Sequence, residues 1–183
     1  MQQVPHRLNA QRLQGASFNP ERLRSFRVLR IVQDDLSGPE IAALLSEHVR
    51  SMFAISPVDS AHTLSLDALR SPQITMWSAW QGAELLACGA LQELDELSGE
   101  IKSMCTASAH RGHGYGSAIL QHIIAVARER HYCKLYLETG SSPEFKPAHA
   151  LYRKAGFTYC GPFANYREDP FSRFMVLQLQ TAP

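Results

Sequence analysis

Ala109-His110-Arg111-Gly112-His113-Gly114-Tyr115-Gly116-Ser117 decides the reading of this 183-residue chain. Three glycines alternate with larger residues directly after an arginine, and from Ala118 to about Arg130 apolar residues recur at helical spacing. A glycine-rich turn that opens a helix presents backbone N–H groups outward, and the helix dipole favours an anion there. The stretch is expected to cradle a phosphate group.

Several phosphate-binding patterns compete for it. A Walker-type loop needs Gly-Lys-Ser/Thr, and this turn has no lysine. The dinucleotide fingerprint G-x-G-x-x-G fits Gly112 and Gly114 but meets Ser117 where the third glycine belongs. Glu138 does sit where a ribose-binding acid would, yet a dinucleotide fold repeats βαβ units and this chain offers one. A plain tight turn needs a single glycine, so three in alternation favour a bound anion.

Upstream, Arg27–Val32 is expected as a first strand. Ser37-Gly38-Pro39-Glu40 has the form of a capping box, with Ser37 as N-cap, ahead of the helical set Ile41, Leu44, Leu45, Val49 and Met52. A short helix is expected near Leu66–Leu69. An antiparallel meander follows: Ile74–Trp80, a Gln81-Gly82 turn, Glu84–Gln92 broken or bulged at Gly89, a Ser98-Gly99 turn, then Glu100–Thr106. Downstream, Lys134–Thr139 is a strand that completes one βαβ unit around the glycine turn. Pro147–Ala155 is a short helix with Gly156 as its C′ residue, and Phe157–Gly161 and Arg173–Gln180 are closing strands. Residues 1–25 are polar and weakly periodic and are expected to form an N-terminal extension, with 26–183 as a single domain.

Composition narrows the class further. A net charge of +1 gives no electrostatic case for nucleic acid as a partner. No window approaches a membrane span, and Met1–Arg7 lacks the apolar core of a secretory signal, so a cytoplasmic location is expected. Cys88, Cys105, Cys133 and Cys160 lack C-x-x-C spacing and lie in or beside apolar runs, as reduced core thiols do. His110 and His113 flank Arg111 without a nearby carboxylate or cysteine partner, so no metal site is expected.

Arg111-Gly112-His113-Gly114-Tyr115-Gly116 fits the pattern Q/R-x-x-G-x-G/A, and Leu151-Tyr152-Arg153-Lys154-Ala155-Gly156-Phe157 fits L-Y-x-x-x-G-F. With both motifs in this order, the chain resembles the GNAT superfamily of N-acetyltransferases, from about Arg27 to its end. The resemblance implies an α/β (α+β) fold with a mixed, mostly antiparallel sheet flanked by helices. It implies acetyl-CoA as cosubstrate, its pyrophosphate held by Arg111, Gly112, His113, Gly114, Tyr115, Gly116 and Ser117. Pantetheine would pair with the strand edge at Met104, Cys105 and Thr106 as an added strand does. That strand and Lys134–Thr139 would splay apart, leaving the thioester carbonyl in the gap near a backbone N–H that polarises it.

By the same resemblance Tyr152 is the general acid that protonates the leaving thiolate. Transfer to an amine also needs a proton acceptor. Glu100 is the first candidate, Glu93 the second and Glu138 the third, with Lys102 placed to pair with one of them. Phe145 stands where many family members carry an asparagine that contacts the cofactor, so binding at that edge must differ. Lys146 either meets a phosphate or is a solvated loop lysine. Thr106 replaces a usual aliphatic residue. Trp77 and Trp80, three apart on a strand, face opposite sides, one to the core and the other to the acceptor pocket or a homodimer contact. Ala54–Leu69, with Asp59 and His62, and the loop Asn165–Pro170 lie where the fold places acceptor-binding elements. The expected activity is acetyl transfer to the primary amine of a small metabolite in a bacterial enzyme. Acetylation of a protein N-terminus or lysine, or acyl-CoA binding without catalysis, are the alternatives.

Overall fold

The computed structural model describes residues 28–55, 57 and 63–179. The expected N-terminal extension, Asp59 and His62 lie outside them. The described elements are β1 (Leu29–Asp34), α1 (Pro39–Ile55), α2 (Leu66–Leu69), β2 (Ile74–Gln81), β3 (Glu84–Asp95), β4 (Ser98–Thr106), α3 (Tyr115–Glu129), β5 (Lys134–Gly140), α4 (Lys146–Lys154), β6 (Thr158–Cys160) and β7 (Ser172–Gln178). Seven strands form one sheet in the order β1-β2-β3-β4-β5-β7-β6. Among the described strands only β4 and β5 pair in parallel, and α3 is the crossover between them. The mixed, mostly antiparallel sheet and the single βαβ unit are as expected from the sequence.

Two apolar layers sandwich the sheet. Ile41, Leu44 and Leu45 of α1 and Leu69 of α2 pack with Met76, Cys88 and Ala90 on one face. Ile119, Leu120, Ile123, Ile124 and Ala127 of α3 and Tyr152 of α4 pack with Trp77, Ala87, Leu91, Leu135 and Leu137 on the other. Period-two alternation along the strands, against helical spacing on α1 and α3, produces this division.

Local chemistry differs from the sequence expectation in three places. Ser37 does not cap α1: its hydroxyl donates to Asp35 Oδ1 at 2.6 Å. Gly38 takes the N-cap position, its carbonyl accepting from Ala42 N, and Pro39 opens the helix where no N–H is needed. The turn before β4 is Glu96-Leu97, and Ser98-Gly99 already belong to the strand. Gly99 is needed there for packing, because a Cβ would stand 2.8 Å from both Leu91 and Tyr132. The irregularity expected at Gly89 is real, but the extra residue belongs to β4. Cys88 pairs with Cys105 and Ala90 with Lys102, so Ser103 and Met104 together oppose Gly89.

That bulge positions the site. The β4–β5 ladder ends at Ile101↔Leu137, and the bulge begins two residues later with Ser103 at φ 51°. A bulge bends and twists its strand. Beyond it β4 stays paired with β3, while β5 continues along β7, and no ladder joins Lys102–Thr106 to Glu138–Gly140. The expected splay is therefore present.

Candidate active site

A cavity of about 810 Å³ opens at the splay. Its walls come from the inner end of α1, β4 past the bulge, the glycine turn, the end of β5, the start of α4 and Tyr166 of the β6–β7 loop.

The glycine turn forms one end. Gly112 and Gly114 have φ of 80° and 88°, left-handed values that suit glycine, and a Cβ on either would point into open space. Gly114 is the N-cap of α3 and brings no side-chain cap, so the first N–H groups of the helix are left for an outside acceptor. The helix starts at Tyr115, earlier than its apolar pattern suggested, which puts Gly116 and Ser117 in its first turn. Gly116 permits the close approach of β4, since a Cβ there would be 3.1 Å from Thr106 Oγ1. Arg111, Gly112, Gly114, Gly116 and Ser117 line the cavity, as do Met104, Cys105 and Thr106. His113 and Tyr115 do not line it. His113 Nδ1 donates to the Arg111 carbonyl at 3.0 Å and its ring stacks on Tyr115, which fixes the turn from behind. His110 Nε2 meets Glu84 Oε1 at 2.8 Å. Burial pushes the Cys105 thiol up to about 11, so it is a neutral wall group at physiological pH.

Tyr152 reaches the middle of the cavity from α4. A Schellman ending holds it: Phe157 N donates to the Tyr152 carbonyl at 3.1 Å and Gly156 N to that of Arg153 at 3.0 Å. Gly156 has φ 97° and the Phe157 ring packs on Tyr152 at 5.9 Å, so the L-Y-x-x-x-G-F pattern is the signature of this cap. Burial, and secondarily the Glu138 carboxylate, raise the Tyr152 phenol well above the usual tyrosine value. It remains a proton donor at any physiological pH.

Glu100, Lys102 and Glu138 also line the cavity, and Arg111 and Glu144 are its other lysine, arginine or carboxylate groups among the described residues. Glu100 is 4% exposed, and its Oε1 accepts from Lys102 Nζ at 2.8 Å and from Tyr166 OH at 2.7 Å. Lys102 Nζ also donates to Tyr166 OH at 3.0 Å. Glu138 is the first β5 residue past the ladder, and its Oε1 accepts from Ser172 Oγ at 2.7 Å. Glu93 is remote from the cavity, where it accepts from Tyr132 OH at 3.2 Å. Phe145 fills the wall where an asparagine was missed, and Lys146 is exposed and outside the lining. Trp77 is buried, whereas Trp80 is half-buried, donates from Nε1 to Ser78 Oγ at 2.8 Å and does not line the cavity.

The sequence reading missed one stretch of the wall and caught another residue only through its loop. The inward stripe of α1 runs from Ile41, Leu44 and Leu45 to His48, Ser51, Met52 and Ile55, keeping helical spacing while turning polar where it leaves the core for the cavity. An apolar-only pattern carries through to Met52 but passes over His48 and Ser51. Burial, and then the Arg111 guanidinium, lower the His48 pKa and keep the imidazole neutral. Tyr166 belongs to the loop Asn165–Pro170 that the resemblance gave as an acceptor-binding element, and it alone of that loop lines the cavity. Among the described residues no group of three or more His, Cys, Asp and Glu is placed to hold a metal ion, and no helix is long and apolar enough to cross a membrane.

Comparison with known proteins agrees with this geometry. The model of the acetyltransferase (GNAT) family matches residues 41–157. The uncharacterized N-acetyltransferase YsnE of Bacillus subtilis is 52% identical over 151 residues, which are 82% of this chain and 100% of that protein. A crystal structure from Klebsiella pneumoniae superposes with a TM-score of 0.69 at 27% identity, covering 84% of this chain and 99% of its own. A GNAT family acetyltransferase from Elizabethkingia anophelis, solved with acetyl-CoA bound, has a TM-score of 0.58 at 20% identity, over 82% and 98% of the two chains. The chain belongs to the GNAT family of acetyltransferases and is an acyltransferase of that family.

Proposed function

We propose that residues 26–183 act as one N-acetyltransferase domain. It moves the acetyl group of acetyl-CoA to the primary amine of a small metabolite by direct attack in a ternary complex. One observation carries the reading: the uncapped mouth of α3, the β4 edge that has parted from β5 and the buried Tyr152 phenol share a single cavity. An elongated cosubstrate with a diphosphate at one end and a reacting centre at the other fits that order. Gly112 and Gly114 suit a phosphate at this end, because a Cβ on either would stand in open space and the absence of side chains leaves that space free. The Elizabethkingia protein, of the same fold, binds acetyl-CoA.

Acetyl-CoA supplies a thioester with an electrophilic carbonyl carbon and a stable leaving thiolate. The protein does the rest. N–H groups of the α3 mouth and the Arg111 guanidinium hold the diphosphate. Met104, Cys105 and Thr106 offer strand-edge backbone to the pantetheine amides. Tyr152 donates a proton to the departing sulfur. A carboxylate at the splay takes the proton of the attacking amine, directly or through water, and Glu100 and Glu138 are the two in place. A bacterial, cytoplasmic setting suits four free cysteines and a bacterial relative.

Purified protein is tested with an amine panel and acetyl-CoA, following release of free CoA. Thermal shifts with acetyl-CoA, NAD and ATP accompany it. Stabilisation by acetyl-CoA alone and turnover of at least one amine are expected; no shift with saturating acetyl-CoA would sink the proposal.

A further inference from the structure

We infer that Lys102 is itself an acetyl acceptor: the protein acetylates the Nζ of its own Lys102, and Glu100 takes the proton. The inference rests on the acetyltransferase reading and goes beyond it, because it needs no external amine.

The chain has four lysines. Lys134, Lys146 and Lys154 are exposed, and none of them lines the cavity. Lys102 does line it and is 10% exposed at its side chain. It is the first β4 residue past the last parallel rung, Ile101↔Leu137, so its backbone stands where β4 and β5 part. Two residues further on begins the edge Met104, Cys105 and Thr106, which also lines the cavity and is proposed to hold pantetheine. A primary amine is thus built into the wall beside the gap where the thioester is expected.

Its direction suits attack. Lys102 is the cross-strand partner of Ala90, and Ala90 packs in the layer of α1. Cross-strand partners share a face of the sheet. Tyr152 packs in the layer of α3, on the other face. The amine and the phenol therefore reach one cavity from opposite sides of the sheet. A carbonyl in the gap would have a nucleophile on one side and the proton donor for the leaving sulfur on the other.

An amine attacks only once it has lost a proton, and the acceptor for that proton is in contact. Lys102 Nζ is 2.8 Å from Glu100 Oε1, a hydrogen bond along which one proton can pass. Glu100 hands that proton to water. The neutral Nζ then forms the C–N bond to the acetyl carbon as the C–S bond breaks, and Tyr152 protonates the sulfur. The nitrogen loses its second proton through water to Tyr152, which is thereby restored. The products are acetylated Lys102, CoA and one proton. An amide N–H replaces the ammonium beside Glu100, and the buried carboxylate loses its countercharge.

Burial separates this transfer from chemical acetylation. A thioester acting from solvent modifies exposed lysines first and Lys102 last, whereas transfer inside the cavity takes Lys102 first. Native protein is incubated with deuterated acetyl-CoA and no amine, from a preparation whose Ser71–Lys102 tryptic peptide is cut cleanly beforehand. Trypsin does not cut after an acetylated lysine, so label appears in Ser71–Arg111, read by mass spectrometry. Lys102 is expected to label at least about tenfold faster than Lys134, Lys146 or Lys154. Its rate per chain should not depend on protein concentration, and excess CoA should suppress it. Glu100→Gln is expected to slow it by about tenfold or more. The calorimetric Kd of that variant for acetyl-CoA, which also reports an intact fold, should stay within about twofold of native. The comparison of lysines within the native protein stands whether or not the variant folds. Labelling of Lys102 no faster than of the exposed lysines overturns the inference, as does labelling that excess CoA leaves unchanged or that rises with protein concentration. So does a Glu100→Gln protein that binds acetyl-CoA and labels at the native rate. All of these leave the acetyltransferase reading standing. Absence of acetyl-CoA binding to the native protein overturns both.

Discussion

The Phe145 ring occupies the space that a side chain on Gly140 would need. Phe145 precedes α4 and Gly140 ends β5, so the contact seats α4, and with it Tyr152, against the open end of the splay. Gly140→Ala is expected to destabilise the protein by about 1–3 kcal/mol through overpacking and to lower kcat by moving Tyr152. In a Phe145→Ala background the same change should cost far less, because the conflicting ring is gone. Urea unfolding of the four proteins in that cycle measures the coupling, and additive effects would show that the two residues do not compete for space.

Tyr152→Phe should lower kcat by about tenfold or more while leaving acetyl-CoA affinity near native, because only the proton donor is lost. The raised phenol also bears on pH. A group whose pKa is lifted this way stays protonated well past neutrality, so Tyr152 contributes no alkaline loss of kcat up to about pH 9. Unchanged kcat in the variant with a verified substrate removes Tyr152 from the chemistry.

At the cradle, backbone conformation can be separated from crowding. Gly112→Ala meets no neighbouring atom but imposes a left-handed conformation on an L-residue, at about 1–2 kcal/mol. The methyl group also stands where the diphosphate is proposed to sit. A modest stability loss is expected together with a larger loss of acetyl-CoA affinity, read by urea unfolding and calorimetry. Stability loss with native affinity would place the diphosphate elsewhere.

His48 makes stability depend on pH in a stated direction. Its folded pKa lies below the unfolded value of 6.5, so between the two the unfolded chain binds more protons. Stability is therefore full above 6.5 and declines as pH falls through that window. His48→Gln should lose less Tm than the native protein between about pH 7 and about pH 5. Parallel Tm curves for the two proteins would show that His48 does not contribute.

The Glu100–Lys102 pair is buried, with side chains 5% and 10% exposed, so removing one partner strands the other. Lys102→Met should cost about 3–5 kcal/mol, and Glu100→Gln in the same chain should recover much of it. Equal stability of the single and double variants would mean that water replaces the lost partner.

The sequence by itself determined the elements whose cause is local. Alternating glycines after Arg111, the Leu151–Phe157 cap signature and helical spacing on α3 depend on neighbours a few residues away, and all three stand in the structure. So does the parallel β4–β5 pair, which follows from the single crossover, whereas the splay was implied by the family resemblance and comes from the bulge at Ser103 and Met104. Tertiary structure decided how the remaining residues are used. Gly99 looked like a turn and is a packing glycine, because Leu91 and Tyr132 arrive from elsewhere in the chain. Ser37 had the form of a cap, but Asp35 took its hydroxyl. His48 and Ser51 broke an apolar stripe and turned out to continue it into the cavity. Glu100 was a strand-end carboxylate until Tyr166, 66 residues away, closed on it. Spacing encodes the short-range geometry of backbone, whereas the charge balance of a cavity is set only when distant segments are brought together and exclude water.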